Sequence, residues 1–147
     1  MATTRRARVS WTGDLARGQG SVTAESSGLF KDARVTWASR TERSEGKTSP
    51  EELLAASHAS CFAMALSYGL GNAGTPPERL DVTATVTFDQ IPSGGFKVKS
   101  SALEVTGSVP RIDAKTFQAA AESAKENCPI SQALKGNVEL SVKATLG

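Results

Sequence analysis

Cysteine and histidine are scarce in this chain: 147 residues hold two Cys and one His. With no Cys-x-x-Cys pair, that set falls short of the four ligands of a structural zinc site, so neither a metal nor any other cofactor is expected. A charge imbalance is also missing. Seventeen basic against 15 acidic side chains leave a net charge of +2, which excludes the broad cationic face of a nucleic-acid binder. No run approaches the ~20 consecutive apolar residues of a membrane helix. The start, Met1-Ala-Thr-Thr-Arg-Arg, lacks the apolar core of a secretory signal. The expectation is a cytoplasmic chain with no membrane partner. Structural disulfides are rare in that compartment, so the cysteines read as reactive or as core residues. The basic cluster Arg5, Arg6 and Arg8 reads as a frayed, solvated end.

Repeats, low-complexity tracts and linkers are absent as well, and the length fits one domain spanning residues 1–147. A hydrophobic fraction of 39% with 22% charged residues is that of a folded protein. The first forty residues alternate like strands, with Val9 and Trp11, Val22 and Ala24, then Val35 and Trp37 as the apolar positions. Glycines 13, 18, 20 and 28 punctuate them. After a polar stretch from Ser39 to Lys47, Ser49-Pro50-Glu51-Glu52 puts Ser at the N-cap, Pro at the first helical position and Glu at the third. The helix is predicted from Pro50 to Leu70, ending at Gly71-Asn72-Ala73-Gly74. From Ala59 to Leu70 it is apolar nearly all the way round, so it must be enclosed by sheet or by a partner chain.

Leu80 to Phe88 and Phe96 to Val109 alternate as long strands about a Pro92-Ser93-Gly94-Gly95 turn. Asp113 caps a second helix, with Ile112 and Phe117 as its hydrophobic staple. Asn127-Cys128-Pro129 interrupts that helix, a short helix follows to Lys135, and Val138 to Ala144 form a last strand. The class is α+β.

On local sequence alone, Cys128 is the better nucleophile. It precedes Pro129 at a helix start, where free amides favour a thiolate, whereas Cys61 sits mid-helix among apolar neighbours. His58, one turn before Cys61, reads as a satisfied packing or surface residue, with tuning of the thiolate as the alternative. Trp11 and Trp37 read as core anchors. Thr83, Thr85 and Thr87 read as the solvent face of a strand.

Three segments resemble the OsmC/Ohr family, in its OsmC branch. Thr48-Ser-Pro-Glu-Glu-Leu-Leu-Ala-Ala-Ser-His-Ala-Ser-Cys61-Phe-Ala-Met-Ala-Leu is similar to that family's core helix. Asn127-Cys128-Pro-Ile-Ser-Gln-Ala-Leu-Lys135 is similar to its second cysteine motif, and Trp11-Thr-Gly-Asp-Leu-Ala-Arg-Gly-Gln-Gly20 fits its opening. The resemblance implies antiparallel sheets around a long buried central helix, in an intertwined homodimer. It also implies a thiol peroxidase that reduces organic hydroperoxides and is recycled by an external dithiol, for which the family points to a dihydrolipoyl protein. By the same resemblance Cys61 is the peroxidatic thiol and Cys128 the resolving one, against the local reading. Glu51 matches the family glutamate. Arg40 is the chosen arginine, with Arg43 second and Arg17 third.

Elementary electrostatics bears on that assembly. An arginine about 4 Å from a thiolate contributes ~4 kcal/mol at an effective dielectric of ~20, or about three pKa units. Desolvation opposes it, so a net thiol pKa of about 6 to 7 is expected. Glu51 and Cys61 are separated by about 15 Å of helix, so either they belong to distinct sites or Glu51 serves the Cys61 of a second subunit, and the family resemblance favours the second. An apolar lining around Phe62, Met64 and Leu66 would favour organic hydroperoxides. Rival readings are an oxidant-sensing or hydrophobic-ligand-binding dimer without turnover, and a structural dimer with inert cysteines.

Overall fold

The computed structural model describes residues 1–147 as two compact units, Met1–Leu53 and Leu54–Gly147. In the first unit β1 (Arg8–Thr12), β2 (Gln19–Thr23) and β3 (Ala33–Val35) form an antiparallel sheet in that order. The Trp11 ring crosses β2 where Gly18 and Gly20 leave room. A Cβ on Gly20 would stand 2.9 Å from the indole and 2.7 Å from Val35. Trp11 remains 40% exposed, so it is a surface cover and not the core anchor expected of it. Arg6 and Arg8 both pair with Glu25, and the Arg6 carbonyl accepts from the Ser26 amide. That segment is therefore tied to its neighbours, not frayed.

Trp37 is not part of a strand. It opens a short helix, α1 (Trp37–Thr41), capped by Thr36, whose side chain accepts from the Ser39 amide while Ser39 Oγ accepts from the Thr36 amide. With Ser in place of Glu or Gln at the third position, this reciprocal cap leaves little trace in sequence. The chain then returns to the sheet, Thr48 donating to the Arg34 carbonyl.

Helix α2 (Pro50–Asn72) begins in the first unit and runs on into the second. Its predicted cap forms in part. Ser49 Oγ accepts from the Glu52 amide at 3.1 Å, but the Glu52 carboxylate takes the Thr48 hydroxyl instead of reaching back to Ser49. Gly74, at a positive φ of 81°, lies in the turn that ends the helix as predicted. α2 has 23 residues, and an 18-residue window of it with a mean hydropathy of 1.3 is long and apolar enough to cross a bilayer by length and composition, although it holds no unbroken apolar run of that length. Its face of His58, Phe62, Leu66 and Leu70 is instead buried within the protein.

In the second unit β4 (Arg79–Gln90), β5 (Phe96–Ser108) and β6 (Glu139–Leu146) form one sheet in that order. β4 and β5 are the predicted antiparallel hairpin. β6 runs parallel to β5, because α3 (Ala114–Asn127) and α4 (Pro129–Leu134) carry the chain back across before it pairs. One face of the sheet presents Leu103 and Val105 to Phe62, Leu66 and Leu70 of α2 and to Phe117, Ala121 and Ala124 of α3. The other face is polar and exposed, and carries Thr83, Thr85 and Thr87 as predicted. Gly107 lets the Phe117 ring lie directly on β5, where a Cβ would collide with it. Asp113 caps α3 by accepting from the Thr116 amide at 2.7 Å.

Candidate functional site

The α3–α4 break is dictated by Pro129, which has no amide to continue α3 but suits the first position of α4. Cys128 is thus both the C-cap of α3 and the N-cap of α4, and is fully buried. On α2, Cys61 faces it. The two cysteines are free, with sulfurs 2.8 Å apart. The residue types are those of the sequence reading, but the exposure of the two thiols is the reverse of the local one. Cys61, read locally as core, is partly exposed and lines a cavity of about 700 Å³, together with Met64, Ala65, Tyr68, Ala120 and Pro129. Phe62 and Leu66, expected in that lining, point into the core instead.

The amide freed by Pro129 also goes to the other sulfur. Ile130, next along α4, gives its backbone hydrogen bond to Cys61, which favours the thiolate. Burial acts more strongly in the opposite direction, and the neighbouring Cys128 adds to it. Within one chain the Cys61 thiol is therefore pushed up from the ordinary thiol range. The expected lowering to about 6 or 7 is not found, because no cationic group is among the causes acting on Cys61.

His58 is fully buried one turn before Cys61. Its Nδ1 lies 2.6 Å from Ser101 Oγ on β5, and its Nε2 lies 2.8 Å from Ser131 Oγ on α4. This is the satisfied-packing reading, and burial lowers the imidazole pKa from 6.5. Neither serine was foreseen. Ser101 did leave a signal, being a polar residue at an inward position of β5, in register with Leu103 and Val105.

In the first unit, Glu51 and Arg40 form a multidentate pair. Arg40 Nε donates to both carboxylate oxygens at 3.1 Å and Nη2 donates to Oε1 at 2.8 Å. The side chains are 10% and 29% exposed, respectively. The guanidinium also lies 6.0 Å from the Trp37 ring centroid. Arg40 is the charged member of an otherwise mostly apolar pocket of about 350 Å³ that includes Trp11, Leu15, Val35, Trp37 and Leu53. The other two arginines lie elsewhere: Arg17 pairs with Asp14 on an exposed turn, and Arg43 is exposed beside Glu42 and Glu45. The structure therefore brings together Cys61 with Cys128, and Arg40 with Glu51.

Comparison with known proteins shows the family and the fold. The family profile described as OsmC-like protein matches residues 43–143. The chain is 42% identical over 136 residues to peroxiredoxin OsmC of Escherichia coli K12, covering 92% of this chain and 93% of that protein. It is 31% identical over 96 residues to an organic hydroperoxide resistance protein of Xanthomonas axonopodis pv. citri, covering 65% of each. The crystal structure of the organic hydroperoxide resistance protein OhrB of Bacillus subtilis superposes with a TM-score of 0.76 at 27% identity, covering 95% of this chain and 98% of that one. With that profile matched over most of its length and a relative 42% identical across 92% of it, the chain belongs to the OsmC family.

Proposed function

We propose that this protein is a cysteine-based peroxidase that reduces organic hydroperoxides to alcohols. The observation that carries the reading is the contact of the Cys61 and Cys128 sulfurs, with Cys61 open to a mainly apolar cavity. The names of its relatives, a peroxiredoxin and a hydroperoxide resistance protein, support it. The Cys61 thiolate attacks the distal oxygen of ROOH. The O–O bond breaks, RO⁻ leaves and is protonated to the alcohol, and the sulfur is left as a sulfenic acid. The Cys128 thiol then condenses with it, releasing water and forming a Cys61–Cys128 disulfide. An external dithiol of the dihydrolipoyl type reduces that bond by exchange, in the cytoplasm.

In this reading the two units make one OsmC-like domain that works as a homodimer. Arg40, held by Glu51, serves the Cys61 of a second copy, lowers its pKa and hydrogen-bonds the peroxide. The pocket around Arg40 would then accept the apolar tail of the substrate. A second reading, a dimer that binds a hydrophobic ligand without turnover, draws on the same pocket. Stopped-flow consumption of cumene hydroperoxide separates the two, with thiols counted before and after and peptide mass spectrometry for the Cys61–Cys128 link. Repeated turnover with a dithiol and loss of both thiols is the expected result. A single stoichiometric oxidation, or thiols that do not react, would overturn the peroxidase.

A further inference from the structure

The sulfur pair has a neighbour of the same geometry. His58 and Cys61 are three residues apart on α2, and Cys128 and Ser131 are three residues apart at the start of α4. His58 meets Ser131, and Cys61 meets Cys128. The two contacts are successive rungs between segments running in opposite directions, one turn of helix apart. The first rung is fully buried at both ends, and the other imidazole nitrogen is fixed to β5 through Ser101. No buried side-chain nitrogen or oxygen in the structure lacks a partner, so a slip of α4 along α2 would leave both His58 and Ser131 unsatisfied in the interior. Such a slip is costly.

We infer that His58 is a positioning residue for disulfide closure, its rung to Ser131 holding α4 in the register that keeps Cys128 on Cys61. This rests on the redox reading proposed above. In the oxidised protein the disulfide itself holds the register, so the rung matters in the dithiol form. Without it, α4 samples positions with the sulfurs apart, and the fraction poised to close falls.

The test is the thiol–disulfide equilibrium of the whole chain with glutathione. One glutathione disulfide oxidises the Cys61–Cys128 dithiol and is released as two glutathione thiols. The ratio of forms gives the effective concentration of one sulfur at the other. His58→Ala would strand two buried hydroxyls and could unfold the chain, so the variants are Ser131→Ala and Ser101→Ala. Each removes one hydroxyl from the same imidazole. Ser131→Ala is expected to lower the effective concentration by about threefold to tenfold, and Ser101→Ala by less than about twofold, at similar cost to urea stability. Equal effects from the two variants, or none from Ser131→Ala, would reduce His58 to packing while leaving the peroxidase reading intact. A wild-type chain that forms no Cys61–Cys128 disulfide in glutathione or diamide would instead remove the redox reading, and this inference with it.

Discussion

Lowering the pH from about 7.5 to about 5.5 acts on His58 before it acts on ordinary carboxylates. The imidazole is fully buried, both of its nitrogens are occupied by serine hydroxyls, and burial lowers its pKa from 6.5. In the unfolded chain it regains the ordinary value. Below that value the unfolded state takes up a proton that the folded state resists, so the stability His58 contributes near neutrality is lost as pH falls. The loss at pH 5.5 cannot exceed the free energy of protonating the unfolded imidazole alone, RT ln(1 + 10), about 1.4 kcal/mol. Because the chain has a single histidine, no other imidazole contributes. Urea unfolding of wild type and His58→Gln at both pH values measures the effect, and the glutamine variant removes the His58 share while keeping the carboxylate background. Proton NMR of the one imidazole gives its folded pKa directly. A folded pKa at or above 6.5, or the same acid loss in His58→Gln, would refute the reasoning.

Glu51→Gln removes the charge that holds Arg40 in three contacts. Because Arg40 is partly exposed, a loss of about 1–3 kcal/mol is expected in urea unfolding, together with a fall of at least about tenfold in kcat/KM on cumene hydroperoxide. An unchanged urea midpoint would show that the pair is worth no more than a surface one. Gly107→Ala should cost about 1–3 kcal/mol, because the new methyl meets the Phe117 ring on β5. A Phe117→Leu background should recover part of that loss, and strict additivity in the double-mutant cycle would locate the clash elsewhere. Cys128→Ser should leave Cys61 as a sulfenic acid that dimedone traps and excess peroxide carries on to the sulfinic acid. Recovery of unmodified Cys61 from that variant after peroxide treatment would contradict its assignment as the attacking thiol.

The second unit was the more legible in sequence. Alternation wrote its strands, and Asp113, Pro129 and the glycine turns marked its ends, because those features act over a few residues. The parallel pairing of β6 was not legible, since the path of α3 and α4 sets it and no residue of the strand does. In the first unit, Trp37 sat at an apolar position of an alternating run, and a cap made by Thr36 and Ser39 turned it into a helix. Of the candidate site, the local residues indicated an anion-favouring amide at the start of α4 but not its recipient. Pro129 frees the Ile130 amide, and the crossing of α2 delivers Cys61 to it. Which sulfur receives that bond is a tertiary fact, and the roles proposed for the two cysteines rest on the family resemblance and not on their local sequence.

Two features that are unrelated within one chain have a common resolution under the proposed dimer. The Cys61 thiol is pushed up by burial and by Cys128, with only the Ile130 amide opposing them, so within a single chain the thiolate is disfavoured. On the same helix, Met64 and Tyr68 are 71% and 73% exposed, large apolar side chains on the rim of the Cys61 cavity. Covering that rim with protein would deepen the desolvation of Cys61 and, taken alone, raise its pKa further. A second copy helps the chemistry only when the surface that covers Met64 and Tyr68 also carries a cation to the sulfur. The Arg40 guanidinium, fixed by Glu51 in a largely apolar pocket, has the required charge and rigidity. In the proposed dimer, covering Met64 and Tyr68 and activating the thiol would be a single event.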